Sequence, residues 1–374
     1  MPGLFIRRQA EAVAAFCDVA VLCLHPDEHI LNRLEIDISH EENVHTVTVY
    51  YRVAMKYRAI LKDPGNLFRF FRACYFGFKV LREFRPDLVH VHVLTRMGLV
   101  ALLYKMITGR PYLVTEHWSR YLRGNDSYRG LVRKDITQHV VSRSMAMIAV
   151  SGALKEAMLR HGLAHPDFHV VPNPVDMDRF RIREEYPRGQ GDRKQLLHVS
   201  CFDDRSKNIS GLLRVIQRLS VKRKDFICHL AGTGPDWDRM KELAYDLGIL
   251  DEFVTFNGLL DEEALVKAMN EADFLVLSSH YETFASVIIE SLACGTPVVA
   301  TRTGIVPEVV VPLTGITVEP GNEDKLEAAV GKMLDDCRNY DRLKIMESVL
   351  HGFSMDEVGK QLEAIYDRIL NYRI

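Results

Sequence analysis

Two glutamates, Glu282 and Glu290, stand eight positions apart in YETFASVIIESLACGTPVV (281–299), a stretch that is otherwise largely apolar. Alanine, valine, isoleucine and leucine fall nearly all round the helix this pattern predicts, so the helix is expected to be buried. A buried carboxylate is costly unless something hydrogen-bonds it. Either the fold supplies that partner or a ligand does. Thr283, Ser286 and Glu290 are spaced by three and then four residues, which places them on one polar stripe. With the helix beginning near Phe284 to Ser286, Ser286 and Glu290 lie about 6 Å apart along its axis at 1.5 Å per residue. That span is comparable to the reach from a nucleotide's α-phosphate to its ribose diol. The first N–H groups and the dipole suit a phosphate. Glu290 suits ribose hydroxyls, and Glu282 would face the part of the ligand beyond the phosphates. The competing reading is that both glutamates are solvated or satisfied within the protein, since helices routinely begin with an acidic residue.

Short apolar runs alternate with amphipathic stretches along most of the chain. The expected strands are 18–24, 44–51, 87–93, 111–117, 145–151 and 168–172, with helices near 3–16, 66–84, 97–108, 129–143 and 152–162. A second series of strands follows at 196–201, 226–232, 253–258, 273–279 and 297–301. Strand alternating with helix implies parallel sheets covered on both faces. Residues 172–194, rich in Pro, Gly and charge, read as a linker. The expected fold is α/β, two doubly wound Rossmann-like domains facing a cleft. The first covers 1–173, joined by the C-terminal helix 356–374, and the second covers 174–355. Such sheets bind ligands beyond the carboxyl ends of their strands.

The opening stretch resembles glycosyltransferase family 4, a large group of GT-B nucleotide-sugar transferases. The family motif pairs two glutamates separated by seven residues with a following G-x-P-V-V segment, here Glu282, TFASVII, Glu290, SLACGTPVV. The resemblance extends, in the family's order, through VTEHWSRYL (114–122), AVSGALKEAM (149–158), VVPNPVDMDRF (170–180), HVSCFDDRSKN (198–208), HLAGTGPDWDRM (229–240), VTFNGLL (254–260) and ADFLVLSS (272–279). It implies that Glu290 binds the donor ribose. It places Glu282 and His117 near the transferred sugar, and Lys207 at the diphosphate. A fixed cation there would stabilise the departing nucleoside diphosphate. Gly232 and Gly234 are expected to let the backbone turn beside the nucleotide, and Thr283, Phe284, Ala285 and Ser286 to line the donor site. The implied activity is retaining transfer of a sugar from a nucleotide-sugar donor to a hydroxyl of a glycan or lipid-linked glycan. The alternatives are a nucleotide-sugar epimerase of GT-B fold or a non-catalytic sugar-nucleotide-binding protein.

The chain departs from the family at several points. Phe202 or Cys201 stands where an arginine is usual, with Arg205 as a substitute. Ala285 replaces a glycine and adds a methyl group to the sugar pocket. Gly304-Ile305 replaces Gly-Gly. Residues 1–16 read as a loop entering a helix, with Gly3 as the remnant of a glycine loop. The expectation is that the family's first strand is missing and that a longer form is the more active one.

GT-B enzymes generally use no active-site metal, so no cofactor is expected, and Asp203-Asp204 reads as a solvated pair. His90 and His92 share one face of a strand and read as packing rather than zinc ligands, with no third ligand spaced nearby. The 374 residues are 47% hydrophobic and 26% charged with a formal net charge of −2, so no global charge recruits nucleic acid or membrane. The seven cysteines are scattered and read as reduced thiols. No apolar run of the roughly 18 residues that span a bilayer occurs. A cytoplasmic protein is expected. Residues 51–85, with nine Lys or Arg against two acids and many aromatics, leave open peripheral contact with the inner face of a membrane or plain packing of a helix. No base-reading chemistry is present, so no nucleic acid is expected.

Overall fold

The computed structural model describes residues 3–30, 32–53, 64–125, 127–189 and 191–371. The chain opens with α1 (Leu4–Ala14), β1 (Val19–Asp27), β2 (Leu34–Glu41), β3 (Val44–Arg52) and α2 (Pro64–Val80). It continues through β4 (Val89–His92), α3 (Leu94–Thr108), β5 (Tyr112–Glu116), α4 (Leu131–Arg143), β6 (Met147–Ala149), α5 (Gly152–Arg160) and β7 (Phe168–Val170). The second series is β8 (Lys194–Val199), α6 (Asp204–Lys207), α7 (Ile209–Lys222), β9 (Phe226–Ala231), α8 (Trp237–Asp246), β10 (Val254–Gly258), α9 (Glu262–Glu271) and β11 (Phe274–Leu277). It ends with α10 (Ser286–Ala293), β12 (Val298–Thr301), α11 (Val306–Val309), β13 (Gly315–Val318), α12 (Glu323–Asp336), α13 (Arg342–Phe353) and α14 (Met355–Asn371).

The second series forms one parallel sheet in the order β10-β9-β8-β11-β12-β13. Strands β11 and β12 are buried along their whole length. Their uninterrupted apolar runs follow from having both faces covered. The strand order reverses between β8 and β11, and such a switch point leaves a crevice beyond the strand ends. The sequence reading missed β13. It is only four residues long, and its entry depends on Gly315, where a Cβ would lie 1.9 Å from the Val298 carbonyl oxygen.

The first series differs from the single doubly wound sheet expected. Strands β4-β5-β6-β7 form one parallel sheet, and β1-β3-β2 form another, with no β1–β4 pairing among the described residues. Strand β1 is parallel to β3, and β2 is antiparallel to it. The sequence reading also missed β2, although Leu34, Ile36 and Ile38 alternate with polar residues. Its turn at Glu42-Asn43 has φ of 49° and 60°, the positive-φ pair of a two-residue hairpin. In the segment 51–85, residues 54–63 (Lys56, Tyr57, Arg58 and Lys62 among them) lie outside the described residues. Helix α2 buries Phe70, Ala73 and Cys74 against Val47 and Val49, and exposes Phe68 and Tyr75. No helix among the described residues is long and apolar enough to cross a membrane.

Helix α14 returns to the first half of the chain. Its Val358, Leu362, Ile365 and Ile369 pack with Val13 of α1 and with Leu113 and Ile148. The two helices approach closely at Gly359, where a Cβ would lie 2.3 Å from the Ala12 carbonyl oxygen and 2.6 Å from the Phe16 ring. Helix α14 therefore sets where α1 sits. Gly359→Ala should drive the helices apart and destabilise the protein by about 1–3 kcal/mol, read as a lower urea midpoint. An unchanged midpoint would contradict this packing.

Candidate active site

A cavity of about 470 Å³ lies over the carboxyl ends of β5, β8, β9 and β11. Phe5, His117 and Asn173 wall it from the first half of the chain, and Ser200, Lys207 and Glu282 from the second. Lys207 closes the single turn of α6, and Asn208 ends that turn in the left-handed region at φ 51°. The end of β11 clamps it, since the Ser278 hydroxyl donates to the carbonyls of Lys207 (3.0 Å) and Asn208 (3.1 Å). Lys207 Nζ then reaches Glu282 Oε1 at 2.6 Å, and the Ser279 hydroxyl donates to the same oxygen at 2.7 Å. Burial opposes the charge on Lys207, but the Glu282 carboxylate outweighs it and raises the lysine pKa. The pair presents a lysine ammonium and the Glu282 carboxyl group side by side on the cavity wall.

Thr283, Phe284, Ala285 and Ser286 continue the wall into the start of α10. Ala285 holds φ 74°, ψ 63° in the left-handed region, a conformation that costs a non-glycine residue about 1–2 kcal/mol. Its surroundings fix it. The Ser151 hydroxyl donates to Thr283 O at 2.6 Å, and Ile305 N donates to Phe284 O at 3.0 Å. The methyl group anticipated at this position thus sits on strained backbone.

Glu290 lies one turn deeper and does not border the cavity. Its partner is protein. Arg8 Nη1, from α1, donates to Glu290 Oε1 at 2.9 Å, and Arg8 Nη2 donates to Glu262 at 3.0 Å. Burial pushes the Glu290 pKa up, while the charge and hydrogen bond of Arg8 pull it down. The sequence reading missed Arg8, though a signal was present. Arg8 and Gln9 fall with Ala12 and Val13 on the buried stripe of α1, where polar residues need partners.

Gly232 borders the cavity, but its constraint comes from the neighbouring loop, since a Cβ there would lie 1.9 Å from the Ser200 carbonyl oxygen. A Cβ at Gly234, which does not border the cavity, would lie 2.6 Å from Phe202 N. Arg205 is exposed and turns to the carbonyls of Gly124 and Asn125, each at 3.4 Å, away from the cavity. Phe202 is fully buried beside Trp237. Asp204 accepts from Arg239 and from Ser210 N, and Asp203 accepts from the Ser206 hydroxyl.

His117 ends a column of rings. Phe5 lies 4.7 Å from it, His92 5.3 Å, and His90 stacks on His92 at 4.4 Å. His92 Nδ1 and His117 Nε2 share a hydrogen bond of 3.0 Å, and His90 bridges the hydroxyls of Tyr366 and Thr115. His117 Nδ1 is buried without a partner. His117 is therefore a third histidine beside the two on β4. No group of three or more His, Cys, Asp or Glu side chains among the described residues is placed to hold a metal. Glu116, also missed, fixes the end of β5 by accepting from the backbone N–H groups of Leu94, His117 and Trp118 and from the Tyr121 hydroxyl.

Comparison with known proteins gives two family matches that together span nearly the whole chain. Glycosyltransferase Family 4 matches residues 3–179, and Glycosyl transferases group 1 matches residues 179–345. An MMP α-(1→4)-mannosyltransferase of Mycolicibacterium hassiacum is 31% identical over 63% of this chain, which spans 57% of that protein's length. An N-acetyl-α-D-glucosaminyl L-malate synthase of Bacillus anthracis is 29% identical over 76% of this chain and 75% of its own. In fold, the chain matches sucrose-phosphate synthase of Thermosynechococcus elongatus with a TM-score of 0.81 at 21% identity, covering 100% of this chain and 94% of that one. It matches Anabaena HepE, solved with UDP and glucose, with a TM-score of 0.76 at 15% identity over 98% and 97%.

Burial holds His90, His92, His117 and His198 below the ordinary histidine pKa, His92 and His198 at about 4. An unfolded histidine takes up its proton near pH 6.5. Between pH 6.5 and 4 the unfolded chain therefore binds more protons, and these four groups cost stability as the pH falls. Glu116 and Glu290, raised by burial, act with the opposite sign but are fewer. The melting temperature should drop progressively from pH 6.5 to pH 4. A constant or rising value across that window would contradict the buried, neutral histidines.

Proposed function

The chain belongs to the group 1 glycosyltransferases of family 4, and on that premise we propose that it moves a sugar from a nucleotide-sugar donor to an acceptor hydroxyl with retention of configuration. The observation that carries this reading is the Lys207–Glu282 pair beside the start of α10, on one cavity at the sheet's switch point. A diphosphate suits the Lys207 ammonium and the positive end of α10. Glu290, one turn along, is the acceptor for ribose hydroxyls. A sugar beyond the diphosphate lies at Glu282, with His117 on the opposite wall. The C1–O bond to the diphosphate breaks as the acceptor oxygen bonds to C1 on the same face, and the acceptor's proton passes to the departing phosphate oxygen. Lys207 stabilises the charge that grows on that leaving group. The neighbour solved with UDP and glucose supports a uridine nucleotide as the first donor to try. The relatives described above are transferases and synthases, which favours transfer over epimerisation or binding alone.

Lys207→Ala should lower kcat at saturating donor on the order of a hundredfold, and transfer by the unaltered enzyme should survive EDTA because no metal takes part. A variant that raises only KM would make Lys207 a binding residue. Loss in EDTA restored by Mg²⁺ or Mn²⁺ would overturn the metal-free reading.

We further propose a lipid-linked glycan as acceptor. The support is an exposed stripe of Phe68, Tyr75, Lys79 and Arg82 along and just beyond α2, with Met106 and Ile107 exposed at the end of α3. Basic and apolar groups together suit an anionic lipid surface. The protein should co-sediment with phosphatidylglycerol vesicles and not with phosphatidylcholine vesicles. Equal recovery in the supernatant with both would refute the contact.

A further inference from the structure

Arg8 and Glu290 face each other across the two halves of the molecule, and the wall they make is closed. Arg8 is 7% exposed and Glu290 8%. Neither borders the cavity, whereas Phe5, one turn before Arg8, and Ser286, one turn before Glu290, both do. A ribose placed by its phosphate at Ser286 would therefore meet Arg8 already seated on the carboxylate it needs. We propose that Arg8 is a gate on the donor site, competing with the nucleotide ribose for Glu290, so that nucleotide binding draws α1 away from the second domain. This rests on the reading of Glu290 as the ribose acceptor.

Three features fit a contact built to open. Arg8 does not depend on Glu290 alone. Its second nitrogen is held by Glu262, whose side chain is 39% exposed, and the Phe180 ring lies 5.6 Å from the guanidinium. On leaving Glu290 the guanidinium keeps a carboxylate partner near solvent, so release strands no charge in an apolar interior. Helix α1 is packed on α14, which returns to lie against the first half of the chain, so the Arg8–Glu290 bond is a strap between the halves. Movement of α1 would also carry Phe5, which lies against His117. Engaging the ribose would thereby alter the cavity wall on the acceptor side.

The test is calorimetric titration of UDP, GDP and ADP into the full chain, comparing variants by the tightest of the three. Arg8→Met should bind roughly ten- to a hundredfold more tightly than the unaltered protein. Arg8→Gln, which keeps an N–H donor opposite Glu290 and removes the charge, should show a smaller gain of the same sign. Adding Glu290→Ala to Arg8→Met should cancel the gain. Affinity that is unchanged or weaker in both Arg8 variants, with Glu290→Ala alone still weakening binding, overturns the gate and leaves the ribose reading standing. Glu290→Ala without effect in either background overturns the ribose reading and the gate with it. A gain that persists in Arg8→Met/Glu290→Ala shows that Arg8 obstructs by bulk, and overturns the competition.

Discussion

A carboxylate does not stay ionised in an apolar interior unless something donates to it. Three carboxylates meet that condition here in three ways. Glu282 takes a lysine and a serine from its own half of the chain. Glu290 takes an arginine from the other half. Glu116 takes three backbone N–H groups and a tyrosine. Each answer fixes a strand end, a helix start or the distance between the halves, and the cavity lies among them. The Glu290 solution differs from the others in that its donor, Arg8, can be retained elsewhere once it leaves.

The loops that carry these groups are strained at their hinges. Ala285, Val93 and Asn208 all adopt positive φ at the start of a helix. For Val93, a β-branched residue, this is a marked outlier. Neighbouring hydrogen bonds hold these turns, such as Val93 N to Thr115 O at 2.9 Å and the Ser278 bonds around Asn208. Strain held in this way keeps Lys207, Glu282 and the start of α10 in place before a ligand arrives.

Much of this was legible in the sequence. The alternation of apolar runs and helices marked most strands. Helix α10 begins at Ser286, within the range expected, but Thr283 precedes it, so only Ser286 and Glu290 of the expected stripe lie on the helix. The Glu282–Lys207 meeting joins two motifs that sequence could only set side by side. Other parts were hidden for physical reasons. Strand β13 is too short to carry a period, and its glycine is dictated by a neighbouring carbonyl. The split of the first sheet depends on which strands pair, which composition does not encode. The glycines at 232 and 234 looked like ligand residues, yet the Ser200–Phe202 loop already forbids a side chain at either. Arg8 was legible in principle, as a charge on a buried helical stripe, but its partner lies 282 positions away. The His117 column was hidden for the same reason, since stacking joins residues from β4, the end of β5, α1 and α14.

On the proposed reading, this cavity is a nucleotide-sugar site in which diphosphate and ribose take the two carboxylate-linked positions. A crystal structure of the protein with a bound nucleoside diphosphate tests it most directly. The diphosphate is expected within hydrogen-bonding distance of Lys207 Nζ and the first N–H groups of α10, with the ribose hydroxyls on Glu290 and Arg8 displaced from it. A nucleotide bound away from Lys207, or one whose ribose leaves the Arg8–Glu290 pair intact, would contradict it.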